Sequence, residues 1–251
     1  MTASRSMGVH GASPSIAQPD YWWYRARSAL LRVALAKYVE GCRRVLDVGS
    51  ADGPSVGWLS GSAKVVSLDI DPRGLDDGGV CGSVLQLPFR DGAFDAVTAF
   101  DVIEHCAPES QAMSEMRRVL APGGRLLASV PAYQWAWSQF DVDNAHHRRY
   151  TRARLVAAFE SAGFDVDRVT YAFTSVFPFF AAERLARRAR EHATGRTSAG
   201  PADAVSVPKL AKPVERLMMA LTRVDQRLLA GADLPFGSSL FIAATKPLTS
   251  P

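Results

Sequence analysis

The sequence predicts an α/β fold: a doubly wound, mainly parallel seven-stranded sheet with a helical insertion before the last strand. Three observations predict it. Short apolar runs alternate with segments of helical period from about residue 44 to residue 171. The first run, Val45-Leu46-Asp47-Val48, passes directly into a turn of small residues, Gly49-Ser50-Ala51-Asp52-Gly53. Sixteen residues past Gly53 the second run, Val65-Val66-Ser67-Leu68, ends in a carboxylate, Asp69. A turn of small residues lets backbone pass close to a ligand, and a carboxylate at that spacing can accept hydrogen bonds from a ribose.

The elements follow in order. Residues 1–19 are rich in Ser, Gly and Pro without an apolar core, and read as a disordered tail rather than a secretory signal. Residues 20–251 read as a single domain that opens with a helix over 21–39. The aromatic cluster Tyr21-Trp22-Trp23-Tyr24 on that helix suits either core packing or a lid, with Trp22 set against the substrate. Then come strand 44–48, helix 54–60, strand 64–69, an irregular link 72–79, strands 80–84 and 94–99, helix 109–120 and strand 124–131. Pro122-Gly123-Gly124 ends the preceding helix sharply. Helix 151–162 has Thr151 as its N-cap and Gly163 at its stop. Strand 165–171 follows, and Ser239–Thr245 is the last strand. Between them, residues 178–193 and 213–230 read as helices joined by a loose link, an insertion spanning 178–233.

The turn excludes one nucleotide class. A dinucleotide site needs glycine at 49, 51 and 54, and the chain has Gly49, Ala51 and Pro54. With Asp47, Gly49, Ala51 and Gly53 in register, the segment instead resembles the D-x-G-x-G-x-G turn of class I S-adenosylmethionine-dependent methyltransferases. Three further stretches resemble that family in the right order. They are the adenine-contacting turn Gly82-Ser83-Val84-Leu85-Gln86-Leu87-Pro88-Phe89, the stretch from Phe94-Asp95-Ala96-Val97 to Glu104-His105, and Leu120-Ala121-Pro122-Gly123-Gly124. The resemblance implies a Rossmann-like methyltransferase fold whose last strand returns antiparallel. It implies S-adenosyl-L-methionine as cofactor, held by Asp47, Gly49, Ala51, Gly53, Asp69, Ser83, Val84 and Phe100. Ala51 replaces the middle glycine, and Ser83 stands where the family usually has an aspartate. The same resemblance places His105 at the cofactor cleft in a structural role.

The segment after strand 124–131 carries the acceptor chemistry. It runs from Pro131 to Thr151 and is dense in aromatic and polar residues. Its pattern D-x4-H-x-R-R-Y-T resembles a methyltransferase subgroup associated with glycan or lipid-linked sugar pathways. Methyl transfer to a hydroxyl needs alignment and a place for the leaving proton. His146 beside Asp141 suits that task, with His147 in reserve; equally, His146 could only hold the loop. Arg148 and Arg149 suit a phosphate or carboxylate clamp, or a solvated helix entrance. Tyr133, Trp137 and Tyr150 complete the expected acceptor wall. No metal site is read: adjacent histidines rarely chelate one ion, and only the pair Asp141 and Asp143 offers an alternative. The function expected is O-methylation of a small or lipid-linked hydroxylated acceptor. N-methylation of a small amine and a non-catalytic cofactor-binding module stand beside it. Phe100-Asp101-Val102-Ile103 lacks the loop of amino-group nucleic-acid methyltransferases.

Composition bounds the partners. The chain has 251 residues, 47% of them hydrophobic, enough for one sizeable core. A net charge of +4 is too mild to imply nucleic acid. The excess resides in the insertion, which has ten Lys/Arg against six Asp/Glu. Cys42, Cys81 and Cys106 are too scattered for a disulfide framework, which points to the cytoplasm. No apolar run reaches a membrane span; the longest, Tyr171–Ala182, is interrupted by Thr174, Ser175 and Pro178. In the second inserted helix, Leu217, Leu221, Val224 and Leu228 fall on one face. That face suits packing as a cap over the substrate mouth or, with the basic residues around it, peripheral contact with an anionic membrane.

Overall fold

A computed structural model describes residues 21–50, 57–61, 63–75, 77–194 and 210–248. The tail 1–19, the turn residues Ala51 and Gly53, and the link 195–209 lie outside the described residues. Seven strands form one sheet: β1 (Arg44–Val48), β2 (Lys64–Asp69), β3 (Val80–Cys81), β4 (Phe94–Phe100), β5 (Leu120–Pro131), β6 (Asp165–Ala172) and β7 (Ser239–Thr245). Their order across the sheet is β3-β2-β1-β4-β5-β7-β6. All neighbours are parallel except β7, which runs antiparallel to both β5 and β6. The order reverses between β1 and β4, and that switch point is where such sheets bind ligands.

The central strands bury both faces. Val45, Leu46, Val48, Ala96, Val97, Ala99, Leu126, Leu127 and Ala128 are all 2% exposed or less, as continuous apolar strands in a parallel sheet require. β5 begins at Leu120, four residues earlier than expected. Pro122-Gly123-Gly124 forms an irregularity within the strand, marked by a register shift opposite Phe94/Ala96. A side chain at Gly124 would meet the Ala121 carbonyl oxygen at 2.8 Å, so glycine permits this close passage.

Helices cover the sheet: α1 (Trp22–Leu35), α2 (Glu109–Val119), α3 (Gln139–Asp143), α4 (Arg152–Ser161), α5 (Phe177–Thr194) and α6 (Lys212–Leu229). Thr151 caps α4, accepting from the Arg154 N–H at 3.3 Å. Of the helix expected over 54–60, the described part Gly57–Ser60 is a single 3-10 turn. The expected strand 80–84 shortens to Val80–Cys81, because Ser83 and Gln86 close a turn. The short helix α3 was not anticipated.

The two inserted helices part company. α5 reaches the carboxyl end of the sheet, while α6 lies against α1. Arg168 of β6 clasps both ends of that pair, donating to the Ala34 carbonyl at 2.8 Å and the Leu229 carbonyl at 3.0 Å. The buried residues of α6 are Met218, Thr222, Asp225 and Leu229. Leu217, Val224 and Leu228, expected to share one packing face, are 51%, 43% and 50% exposed. The buried face lies one residue, roughly 100°, round from that apolar stripe, and half of it is polar: Asp225 is turned inward to accept from the Ser175 N–H at 3.0 Å, and Thr222 donates to the Met219 carbonyl at 3.0 Å. No described helix is long and apolar enough to cross a membrane.

Candidate active site

A cleft of about 780 Å³ opens at the carboxyl ends of β1, β2, β4 and β5. Its first end is made by Gly49, Asp69, Ser83, Val84 and Phe100. Gly49 turns the chain out of β1 at φ +73°, its N–H bonded to the Leu68 carbonyl at 2.8 Å. A Cβ there would lie 2.4 Å from Val102 Cγ2, so the position needs glycine both for its backbone and for space. Asp69 is 8% exposed and accepts from the Asp71 N–H at 2.8 Å. Ser83 Oγ accepts from the Leu85 N–H at 3.2 Å, which leaves its O–H to donate. α2 steadies this turn: Glu115 accepts from the Leu87 N–H at 2.8 Å, and Gln111 donates to the Leu85 carbonyl at 2.9 Å.

Asp47 does not line the cleft. It is 2% exposed and accepts from Thr98 Oγ1 at 2.6 Å across the β1–β4 pair, so it braces the turn from below.

The other end is made by side chains. α3 starts with a capping box of Ser138 and Asp141. The Asp141 carboxylate is wholly buried and takes Arg149 in a fork, Nε to Oδ1 at 2.7 Å and Nη2 to Oδ2 at 3.1 Å. His146 Nδ1 lies 2.9 Å from the same Oδ1. Burial pushes the Asp141 carboxyl up, but the hydrogen bond from His146 and the Arg149 charge prevail and hold it at about 2. His105 stands perpendicular to His146, ring centroids 4.6 Å apart. Desolvation by the crowded protein around its ring, then the neighbouring His146, lowers His105 to about 4, although the residue as a whole is exposed at the cleft. Glu104 is fully buried, and burial, then Asp101, raises its carboxyl well above the ordinary range. Tyr21, Trp22, Trp23, Tyr24, Phe140 and Phe180 form an aromatic wall. The N-terminal aromatic cluster thus packs on the core and also faces the cleft.

Several expected acceptor residues stand elsewhere. Tyr133, Trp137, Arg148, Tyr150 and His147 are not in the cleft lining. Tyr133 stacks on Tyr171 at 5.4 Å, and burial and that tyrosine push its hydroxyl up to about 12. Trp137 is half-buried. Arg148 Nη1 and the Tyr150 hydroxyl both donate to Glu109 Oε2, at 2.9 and 2.6 Å. Arg149 does reach the cleft, but Asp141 holds its guanidinium. The arginine pair is therefore an internal tie rather than a waiting anion clamp. His147 is exposed, and its backbone N–H bonds the Glu104 carbonyl at 2.8 Å. Asp143 accepts from Gln139 Nε2 at 2.8 Å, and Asp141 faces Arg149 and His146, so the two do not converge on an ion.

Sequence reasoning missed Arg27 and Asp101. Arg27, 1% exposed, crosses from α1 to Asp101 Oδ2 at 2.9 Å, and Ser129 Oγ donates to Asp101 Oδ1 at 2.9 Å. Of the three arginines in α1, Arg27 falls among the apolar positions Ala26, Leu30, Leu31 and Ala34, and that placement is the signal that could have pointed there.

The geometry is matched by kinship. The family described as "Methyltransferase domain" matches residues 46–128. This part of the chain is thus similar to S-adenosylmethionine-dependent methyltransferase domains. A Mycolicibacterium smegmatis protein named "Probable S-adenosylmethionine-dependent methyltransferase" is 32% identical over 165 residues, 61% of this chain and 63% of that protein. The demethylmenaquinone methyltransferase of Beutenbergia cavernae is 37% identical over 103 residues, 37% of this chain and 43% of that protein. Both matches thus span less than two thirds of the relative's length. Among solved structures, a chain from the complex of the Haloferax volcanii Trm112 methyltransferase activator with a methyltransferase superposes at a TM-score of 0.57. It shares 19% identity, with 94% of this chain and 93% of that chain covered. The cofactor of the methyltransferase domain is S-adenosyl-L-methionine. The cradle at Gly49 and the acid at Asp69 fit it: one gives backbone room at the strand end, the other a ribose acceptor.

Proposed function

We propose that this chain is an O-methyltransferase whose acceptor is an apolar or lipid-linked molecule bearing a hydroxyl. The observation that carries the reading is the two-ended cleft, with a nucleoside cradle at one end and a held imidazole within an aromatic wall at the other. Gly49 and Gly53 would take the methionine end of the cofactor, Asp69 its ribose, and Ser83 and Val84 its adenine. When bound, the cofactor supplies an electrophilic methyl on sulfur: the new O–C bond forms as the C–S bond breaks and a thioether leaves. The chain's own residues align the acceptor, exclude water and receive the proton. With Nδ1–H directed at Asp141, His146 Nε2 carries a lone pair and can accept the acceptor's hydroxyl proton.

The aromatic wall supports an apolar acceptor, and so does the quinone acceptor named for the related demethylmenaquinone methyltransferases. The outer face of α6 supports contact with an anionic membrane. Val214, Leu217, Val224 and Leu228 are exposed there, and Lys212, Arg216, Arg223 and Arg227 flank them on the side away from α1.

The test uses purified full chain with methyl-labelled cofactor and separate apolar and aqueous extracts. Label should enter an oxygen of a molecule from the apolar fraction, identified by mass. His146→Ala should lower that rate by roughly 10²–10⁴ with cofactor affinity kept, whereas His147→Ala should leave it unchanged. Cofactor binding without any label transfer would mean a binding module; label on nitrogen would mean an amine acceptor.

A further inference from the structure

Three ligand-type side chains from two distant stretches meet at the floor of the acceptor end. Glu104 and His105 sit on the 3-10 turn Ile103–His105 after β4, and His146 on the loop after β5. One ligand atom from each lies within 4.8 Å of the other two. Glu104 is 0% exposed and faces the cleft, and neither of its carboxylate oxygens has a hydrogen-bond partner among the described residues. An unpartnered buried carboxylate is costly, and a native fold tolerates one where something else completes the site. Arg27 and Arg149 act on Glu104 only through their charge and form no hydrogen bond with it; Arg27 bonds Asp101 and Ser129, and Arg149 bonds Asp141.

One of the histidines carries a second, independent sign. His146 is held by Nδ1 against Asp141 Oδ1 at 2.9 Å. That ring therefore has one nitrogen fixed by an oxygen partner and one left over. Metal-bound histidines show this arrangement, with the oxygen partner setting tautomer and ring orientation from behind. The perpendicular rings, drawn from segments 41 positions apart, bring both imidazoles beside Glu104.

We propose that Glu104, His105 and His146 bind one divalent transition cation of the zinc type, and that this cation holds the acceptor's oxygen. Two imidazoles and a carboxylate favour zinc, manganese or iron over magnesium and calcium, which prefer all-oxygen sites. Three protein ligands leave a coordination position open for that oxygen. The cation would acidify the acceptor hydroxyl, whose proton would pass to solvent at the cleft mouth as the acceptor enters, before water is excluded. His146 Nε2 is a ligand when the cation is bound and a proton acceptor when it is not. The oxygen-holding role rests on the methyltransferase reading above, but cation binding does not.

The test titrates the full chain, stripped with a chelator, with Zn²⁺ against a chromophoric competitor and with Co²⁺ by visible absorption. One ion per chain is expected, with Co²⁺ bands that report nitrogen ligation. Glu104→Gln and His105→Asn should each weaken Zn²⁺ by more than about 100-fold, since even loss of an outer partner costs 10–100-fold. His147→Asn should bind as the parent does. Cofactor affinity of the same samples, by calorimetry, reports that each variant is folded. Less than one ion per chain, Co²⁺ bands without nitrogen ligation, or equal Zn²⁺ affinity in folded Glu104→Gln each overturn the site. If a variant does not fold, the parent Co²⁺ spectrum and stoichiometry decide. An ion bound by a chain that transfers no methyl would defeat the functional reading and leave the site standing. Methyl transfer unaffected by chelator, with no ion bound, would defeat the site and leave the function.

Discussion

The turn after β1 and the loop after β5 face each other across one cleft and are built by opposite means. The cofactor end is mostly backbone: a glycine at positive φ, strand ends, and one carboxylate. The acceptor end is mostly side chains, fixed by the buried carboxylate of Asp141, which gathers Arg149 and His146, and backed outside the cleft lining by the half-buried Glu109, which takes Arg148 and Tyr150. The contrast teaches that binding and stability should separate by mutation. Losing a group at the first end should weaken cofactor binding alone, whereas losing one at the second should loosen the fold.

Asp141→Ala should have the largest effect. It strands a buried Arg149 charge and frees His146, at a cost of about 3–5 kcal/mol in stability. Urea unfolding measures it; a loss under about 1 kcal/mol would mean that the acceptor end does not depend on this pair. Asp69→Ala is the converse. Cofactor affinity should fall by about 1.5–3 kcal/mol in calorimetry, with the unfolding midpoint little changed. Unaltered affinity would remove Asp69 from the site.

Glu109→Gln sharpens the comparison through pH. Burial raises this carboxyl, but hydrogen bonds from Tyr150 and Arg148 outweigh it and depress the group below its ordinary value. A depressed carboxylate adds stability above its unfolded pKa, roughly 4.3, and that stability is lost as pH falls through the folded value. The variant should lose about 1 kcal/mol at neutral pH and show a flatter acid limb; an identical acid limb would refute the assignment. The smallest effect belongs to α6. Arg227→Ala should weaken sedimentation with anionic vesicles by about 1 kcal/mol, in a salt-dependent way and without loss of stability. No vesicle binding by the parent chain would leave α6 as a packing element only.

The first end was legible because its signal is local. Strand, small-residue turn and Asp69 fall within 25 positions, and period-2 and period-3.6 patterns place the flanking elements. The second end was only partly legible. His146 and Asp141 are five residues apart, and their pairing could be read. Arg148 looked like a free cation because its partner, Glu109, lies 39 positions earlier. Glu104 gave no signal, since an unpartnered buried carboxylate looks like any other acid in sequence. In α6 the period was right and the face wrong: periodicity reports an apolar stripe, but the buried face carries Thr222 and Asp225, and Asp225 is held inward by Ser175, 50 positions earlier.

The long reach of α1 bears on the order in which the chain acquires its shape during synthesis. Arg27 bonds Ser129, 102 positions later, and the Ala34 carbonyl waits for Arg168, 134 positions later. At roughly 5–20 residues per second, the first helix leaves the ribosome on the order of ten seconds before those partners exist. Its packing partner α6 arrives later still. The aromatic wall that α1 contributes therefore forms among the last steps of folding, and until then Trp22 and Leu30 are apolar surface open to a chaperone.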